Sequence, residues 1–121
     1  MAADNKRQVG SAYERKAAEY LTGQGFQILE QNFYSRCGEI DIIAKDGRYL
    51  VFIEVKYRKD ASCGSPLEAV TSQKQRRICR TAVCYCTKRG YGDRMPCRFD
   101  VVAIEGEDKV IHIKNAFDFR Y

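Results

Sequence analysis

The chain has no tryptophan, a single histidine, only two prolines and no Cys-x-x-Cys pair among its 121 residues. With His112 the lone imidazole and no paired thiol spacing, the usual zinc arrangements are excluded. No apolar stretch approaches the roughly 20 residues of a membrane-spanning helix. The opening MAADNKRQVG lacks the apolar core of a secretory signal. The expectation is therefore a cytoplasmic protein without a membrane partner, and nothing points to a small-molecule organic cofactor. The six cysteines (Cys37, Cys63, Cys79, Cys84, Cys86, Cys97) are expected to be reduced and structural, three of them lying in a predicted helix. Acidic residues are missing from Lys74 to Arg89, a stretch with six basic ones. A basic helix of that kind suits a phosphate backbone, or else forms a plain solvated face.

What is present fits one globular domain over residues 1–121, with a core from about 8 to 114. Hydrophobic residues at 45% and charged residues at 31% exclude a disordered chain, and no repeat or linker divides it. Tyr13, Ala17, Tyr20 and Leu21 recur at helical spacing before Gly23, predicting a helix over 8–23. Strands are expected at 26–33, 39–44 and 49–57. A short helical turn opened by Ser65-Pro66 follows, then a helix capped by Thr71 or Ser72 and running to about Lys88. Two more strands, 98–104 and 109–113, close the order α-β-β-β-α-β-β. The fold class is α/β (α+β), a mixed central sheet flanked by helices.

The chemistry concentrates in one hairpin. With Asp46-Gly47 as a two-residue turn, Lys45 pairs with Arg48, Asp41 faces Phe52 and Glu39 faces Glu54. Glu39, Asp41, Glu54 and Lys56 then share one face. Ile40, Ile42, Val51, Ile53 and Val55 share the other, which reads as core. Two carboxylates about 5 Å apart repel by roughly 3 kcal/mol at an effective dielectric near 20. Lys56 offsets part of this; a divalent cation such as Mg²⁺, which accepts one or two carboxylates plus water and phosphate, would offset more. A cross-strand ion-pair ladder is the plain alternative.

The run GEIDIIAKDGRYLVFIEVKYR resembles the central hairpin of (P)D…(D/E)xK nucleases, with Asp41 as first acid and Glu54-Val55-Lys56 as the triplet. Ile40 stands where that motif's name has proline. More widely, GSAYERKAAEYLTGQGFQILEQNF, GEIDIIAKDG, FIEVKYR, GSPLEAVTSQKQRRI and CRFDVVAI resemble the YraN-like family of uncharacterised bacterial proteins, related to Holliday-junction resolvases. The match covers about Gly10 to Ile104.

That resemblance implies a restriction-endonuclease-like core and a metal-dependent endonuclease hydrolysing phosphodiester bonds, with structured or branched DNA of repair and recombination as the expected substrate. Asp41, Glu54 and the Val55 carbonyl would hold Mg²⁺ or Mn²⁺. Lys56 would orient or deprotonate a water or stabilise the transition state, and Glu14, in AYERKA, would join the site. Glu39 is given a supporting role, and Arg58, Lys59, Lys74, Arg77 and Arg80 are expected to bind nucleic acid. A homodimer is a further expectation. The alternatives are a non-catalytic nucleic-acid-binding module and a partner protein of DNA-processing machinery. Tyr13, Tyr20, Tyr34 and Tyr57 are read as core or half-buried rather than base-stacking. Asp100 is read as structural, pairing with a nearby arginine, and His112 as an edge-strand residue.

Overall fold

The structure is a computed structural model that describes residues 2–119, with side chains from Ala12 onward. Met1, Arg120 and Tyr121 of the expected domain lie outside the described residues, as does the side chain of Ser11 in the matching segment. Helix α1 (Ala2–Gly23) leads into strands β1 (Gln27–Ser35), β2 (Gly38–Asp46) and β3 (Tyr49–Arg58). Two short 3₁₀ turns, Ala61–Cys63 and Pro66–Ala69, precede helix α2 (Ser72–Lys88), then β4 (Cys97–Glu105) and β5 (Lys109–Ile113). The strands form one mixed sheet in the order β1-β2-β3-β4-β5. Only β3 and β4 pair in parallel, because α2 carries the chain across the sheet between them.

Each helix covers one face. Ala17, Ala18 and Leu21 of α1 pack on Ile42, Val51, Ile53, Val102 and Ile104. Ile78, Cys79, Ala82, Tyr85 and Cys86 of α2 pack on Ile43, Leu50, Phe52, Phe99 and Val101. Central strands buried on both faces read as unbroken apolar runs, which is why LVFI and VVAI show little alternation. Thr71 caps α2, its hydroxyl accepting from the Lys74 N–H at 3.2 Å. Gly90, at φ +75°, supplies the left-handed exit.

The β2–β3 turn differs from the expected one. Asp46 pairs with Tyr49, so the loop is Gly47-Arg48. Gly47, at φ +60°, takes the first loop position, the arrangement of a type II′ turn. Asp46 is held in the strand by Arg98, at 2.9 Å. The register moves by two residues, and a two-residue shift keeps each side chain on its face. Phe52 thereby pairs with Ile43 rather than with Asp41, and the register continued one step past Ile42–Ile53 leads from Asp41 to Glu54.

Ile40 is the exception to the expected faces. It packs in the α2-side cluster with Phe33 and Ile43 instead of joining Ile42. The paired register of β2 with β3 ends at Ile42–Ile53, so the alternation that the hairpin enforces does not carry past that point.

Candidate functional site

The end of that ladder creates the site. Past Ile42, β2 stays with β1 as far as the Ser35–Gly38 pair. Past Ile53, β3 stays with β4 as far as Arg58–Glu105. A notch opens between the two strands, and Asp41 and Glu54 stand at its apex. Asp41 replaces a ladder bond with its own side chain: Oδ2 accepts from the Val55 N–H at 2.8 Å. Tyr34, Glu39, Asp41 and Glu54 from the sheet, with Lys74, Arg77 and Ile78 from α2, line a cleft of about 300 Å³.

Gly38 sets how closely α2 approaches. A Cβ there would lie 3.0 Å from Cγ of Arg77 and 3.1 Å from Oγ1 of Thr81. Gly38 also has φ +145°, a conformation side chains disfavour.

Glu54 is buried and accepts two ammonium groups, Lys74 at 2.7 Å and Lys56 at 3.3 Å. Burial, followed by the neighbouring Lys74, holds Lys56 below the usual lysine range. Burial acts most strongly against charge on Lys74, but its bonds to Glu54 and Lys56 and the charges of Glu54 and Asp41 together outweigh that and leave it above the range. The Asp41 carboxyl is pushed up to about 7 by burial and then by the charges of Glu54, Glu14 and Glu39, with the Val55 N–H opposing. Glu14 is raised first by burial and then by Glu39 and Glu54, against a hydrogen bond with Asn32. Glu14 on α1 thus belongs to the same electrostatic cluster as three acids contributed by the hairpin.

The structure sorts the expected phosphate-binding residues. Arg77 and Lys74 line the cleft; Lys59 and Arg80 are exposed. Arg58 does not belong with them. It is buried against Glu105 and donates to the Gly64 carbonyl, so it is a structural ion pair rather than a phosphate contact. Lys74, expected to bind nucleic acid, sits on the acid cluster itself. Its spacing along α2 carries no signal of that, because the contact depends on how α2 docks on the sheet.

Tyr13 and Tyr20 are half-buried, as expected, but Tyr34 and Tyr57 are 75% and 47% exposed. Asp100 does pair with an arginine, Arg98, at 2.9 Å, and also accepts from His112 on the edge strand β5 and from the Asn115 N–H. Burial pushes the Asp100 carboxyl up, but these partners outweigh it and hold it below the usual range.

Among the described residues, no group of three or more His, Cys, Asp or Glu side chains is arranged to hold a metal ion. The donor chemistry still suits Mg²⁺ or Mn²⁺, which need only one or two carboxylates beside water and phosphate. Two facing carboxylates, one resisting ionisation at neutral pH, are the pair such an ion would relieve. A larger cavity of about 510 Å³ lies elsewhere, against the outer half of α2 and the C-terminal segment, among Val83, Met95, Phe117 and Phe119. None of the clustered acids opens into it. Among the described residues no helix is long and apolar enough to cross a membrane.

Residues 13–104 match the model of the uncharacterised protein family UPF0102. The chain belongs to the UPF0102 family. A UPF0102 protein of Lachnoclostridium phytofermentans is 51% identical over 114 residues, covering 94% of this chain and 96% of its own length. Others from Geotalea uraniireducens and Symbiobacterium thermophilum are 46% and 50% identical, over 98% and 92% of this chain and 95% and 97% of theirs. The matched UPF0102 region contains Glu14, Asp41, Glu54, Lys56 and Lys74 together, so the whole acid–lysine cluster falls within the family segment.

Proposed function

We propose that this UPF0102 chain is a metal-dependent endonuclease on a restriction-endonuclease-like core, hydrolysing phosphodiester bonds in structured or branched DNA. The observation that carries the reading is the apex of the notch, where Asp41, held by the Val55 N–H, lines one cleft with Glu54, which carries Lys56 and Lys74.

Asp41, Glu54 and the Val55 carbonyl would hold Mg²⁺ or Mn²⁺, which supplies charge stabilisation at the phosphate and a more acidic bound water. The chain's own residues do the rest. The Val55 N–H fixes the Asp41 carboxylate, and Lys74 fixes that of Glu54. The Lys56 ammonium positions the attacking water and stabilises the negative charge that develops at the phosphate. Arg77, Arg80 and Lys59 contact backbone phosphates and give affinity without reading bases. A homodimer that places two such clefts on one branched substrate would make paired cuts.

One observation favours the second reading, a non-catalytic nucleic-acid-binding module: Glu54 already has two ammonium partners. Labelled four-way junction, flap, duplex, single-stranded DNA and RNA, each incubated with Mg²⁺, Mn²⁺ or EDTA, separate the two. The nuclease reading expects metal-dependent cleavage that falls roughly a hundredfold in Lys56→Ala. Binding without cleavage of any substrate, by wild-type protein of native circular dichroism, would establish the binding module instead.

A further inference from the structure

Tyr34 is the most exposed large apolar side chain among the described residues, at 75%. It is not on a remote surface. It pairs directly opposite Glu39 across β1–β2 and lines the cleft with Asp41, Glu54, Lys74 and Arg77. An aromatic ring is costly to leave in water, and its neighbours here are charges that do not cover it. Cleft walls of this composition, one aromatic and one cationic, match the two halves of a nucleotide: a base with a π face and a phosphate. A volume of about 300 Å³ lies at the lower end for a ligand pocket and suits one base rather than a base pair.

We infer that Tyr34 forms a stacking subsite for one unpaired nucleobase next to the phosphate held at the cleft. The inference rests on the proposed nucleic-acid substrate and narrows it to strands with at least one unstacked base beside the reacting bond. A duplex, whose bases stack on one another, cannot use this wall.

The test is fluorescence anisotropy in EDTA, with a thymidine oligonucleotide and a blunt duplex of equal length, on wild type, Tyr34→Phe and Tyr34→Ala. Wild type is expected to prefer the single strand. Tyr34→Ala should weaken single-strand binding by roughly 5- to 100-fold, as base–aromatic stacking does elsewhere, while leaving the duplex nearly unaffected, and Tyr34→Phe should bind as wild type. Equal losses on both oligonucleotides, no loss on either, or no binding by wild type would overturn the subsite. A cleavage assay with Mg²⁺ and Mn²⁺ runs beside it. Cleavage with a silent Tyr34 sinks the subsite alone, and stacking without cleavage sinks the nuclease alone.

A separate observation carries a second proposal. Cys37, between β1 and β2, and Cys84, on α2, have their sulfurs 3.2 Å apart. A disulfide requires about 2.05 Å, so joining them needs a movement of only about 1 Å. The structure assigns Cys37 and Cys84 as a dithiol that closes to a disulfide under peroxide. One thiolate attacks the peroxide, releasing an alcohol or water and becoming a sulfenic acid, and the second thiol displaces water from it. The two sulfurs give up two electrons, and the O–O bond accepts them. The product ties the turn between β1 and β2, whose ends carry Tyr34 and Glu39, to the helix that carries Lys74 and Arg77, fixing the two cleft walls. Peptide mapping of the peroxide-treated protein without reductant is expected to find the Cys37–Cys84 crosslink, with a melting temperature several degrees higher that dithiothreitol reverses. Cys37→Ser and Cys84→Ser should each lose both signals. A different pairing, an intermolecular one, or none would overturn the assignment.

Discussion

Asp41→Asn is expected to abolish metal-dependent cleavage and, in the same protein, to raise the melting temperature of the metal-free fold at pH 8. The first effect follows from removing an anionic oxygen from the proposed cation site, and should exceed about a hundredfold in rate. The second follows from the repulsion already present. Asp41 titrates at about 7 in the fold against 3.8 for an ordinary aspartate, chiefly through burial and then through Glu54. The folded state therefore holds this proton more tightly than the unfolded chain does. Its contribution favours the fold fully below about pH 4 and is lost as pH rises through 7. Metal-free protein should thus melt at progressively higher temperature as pH falls from 8 toward 5. Asparagine keeps a carbonyl to accept the Val55 N–H and removes the charge. On the order of 2 kcal/mol is regained, a rise of roughly 5–10 °C at pH 8 with a flattened pH profile. Differential scanning calorimetry across pH 5–8, with EDTA, measures both. A melting temperature that drops in Asp41→Asn would mean that the carboxylate is a structural anchor.

Arg58→Ala carries the largest expected loss of stability. Arg58 and Glu105 are both more than nine-tenths buried. Removing the guanidinium leaves a carboxylate inside the protein with, among the described residues, the exposed Lys109, 3.6 Å away, as its remaining ion-pair partner. Breaking a buried pair from one side costs about 3–5 kcal/mol, a large share of the roughly 5–15 kcal/mol that holds a domain together. Urea denaturation should show that loss for Arg58→Ala and close to none for the exposed Lys59→Ala. Arg58→Met combined with Glu105→Leu should restore most of it, since no charge is then stranded. If Arg58→Ala instead leaves stability unchanged and weakens DNA binding, the arginine is a phosphate contact after all.

These two residues show where sequence reading stops. Asp41, Glu54 and Lys56 were legible because they sit on one hairpin, where alternation links chain position to direction. Even a turn displaced by one residue, which moves the pairing register by two, kept their common face. The helices and strands were legible from periodicity, from Gly90 and from the Thr71 cap. Ile40 was misassigned at the place where β2 leaves β3, because the alternation rule holds only while a ladder enforces it. Arg58 looked like a phosphate ligand because it follows the triplet; its partner Glu105 lies 47 residues away in sequence and meets it only through the parallel β3–β4 pairing. Lys74 and Tyr34 depend in the same way on how an α2 or a β1 docks. A site written within one supersecondary unit can be read from the chain, and one assembled from several cannot.

The close approach at Gly38 makes Arg77 two residues in one. Its methylene stem is the spacer on which β2 and α2 rest, while its exposed guanidinium is the charge offered to a substrate. Truncating it to alanine would change the gauge of the cleft together with its electrostatics, and the two losses would be inseparable. Only a replacement that keeps the unbranched stem and drops the charge, such as glutamine, isolates what the cation contributes.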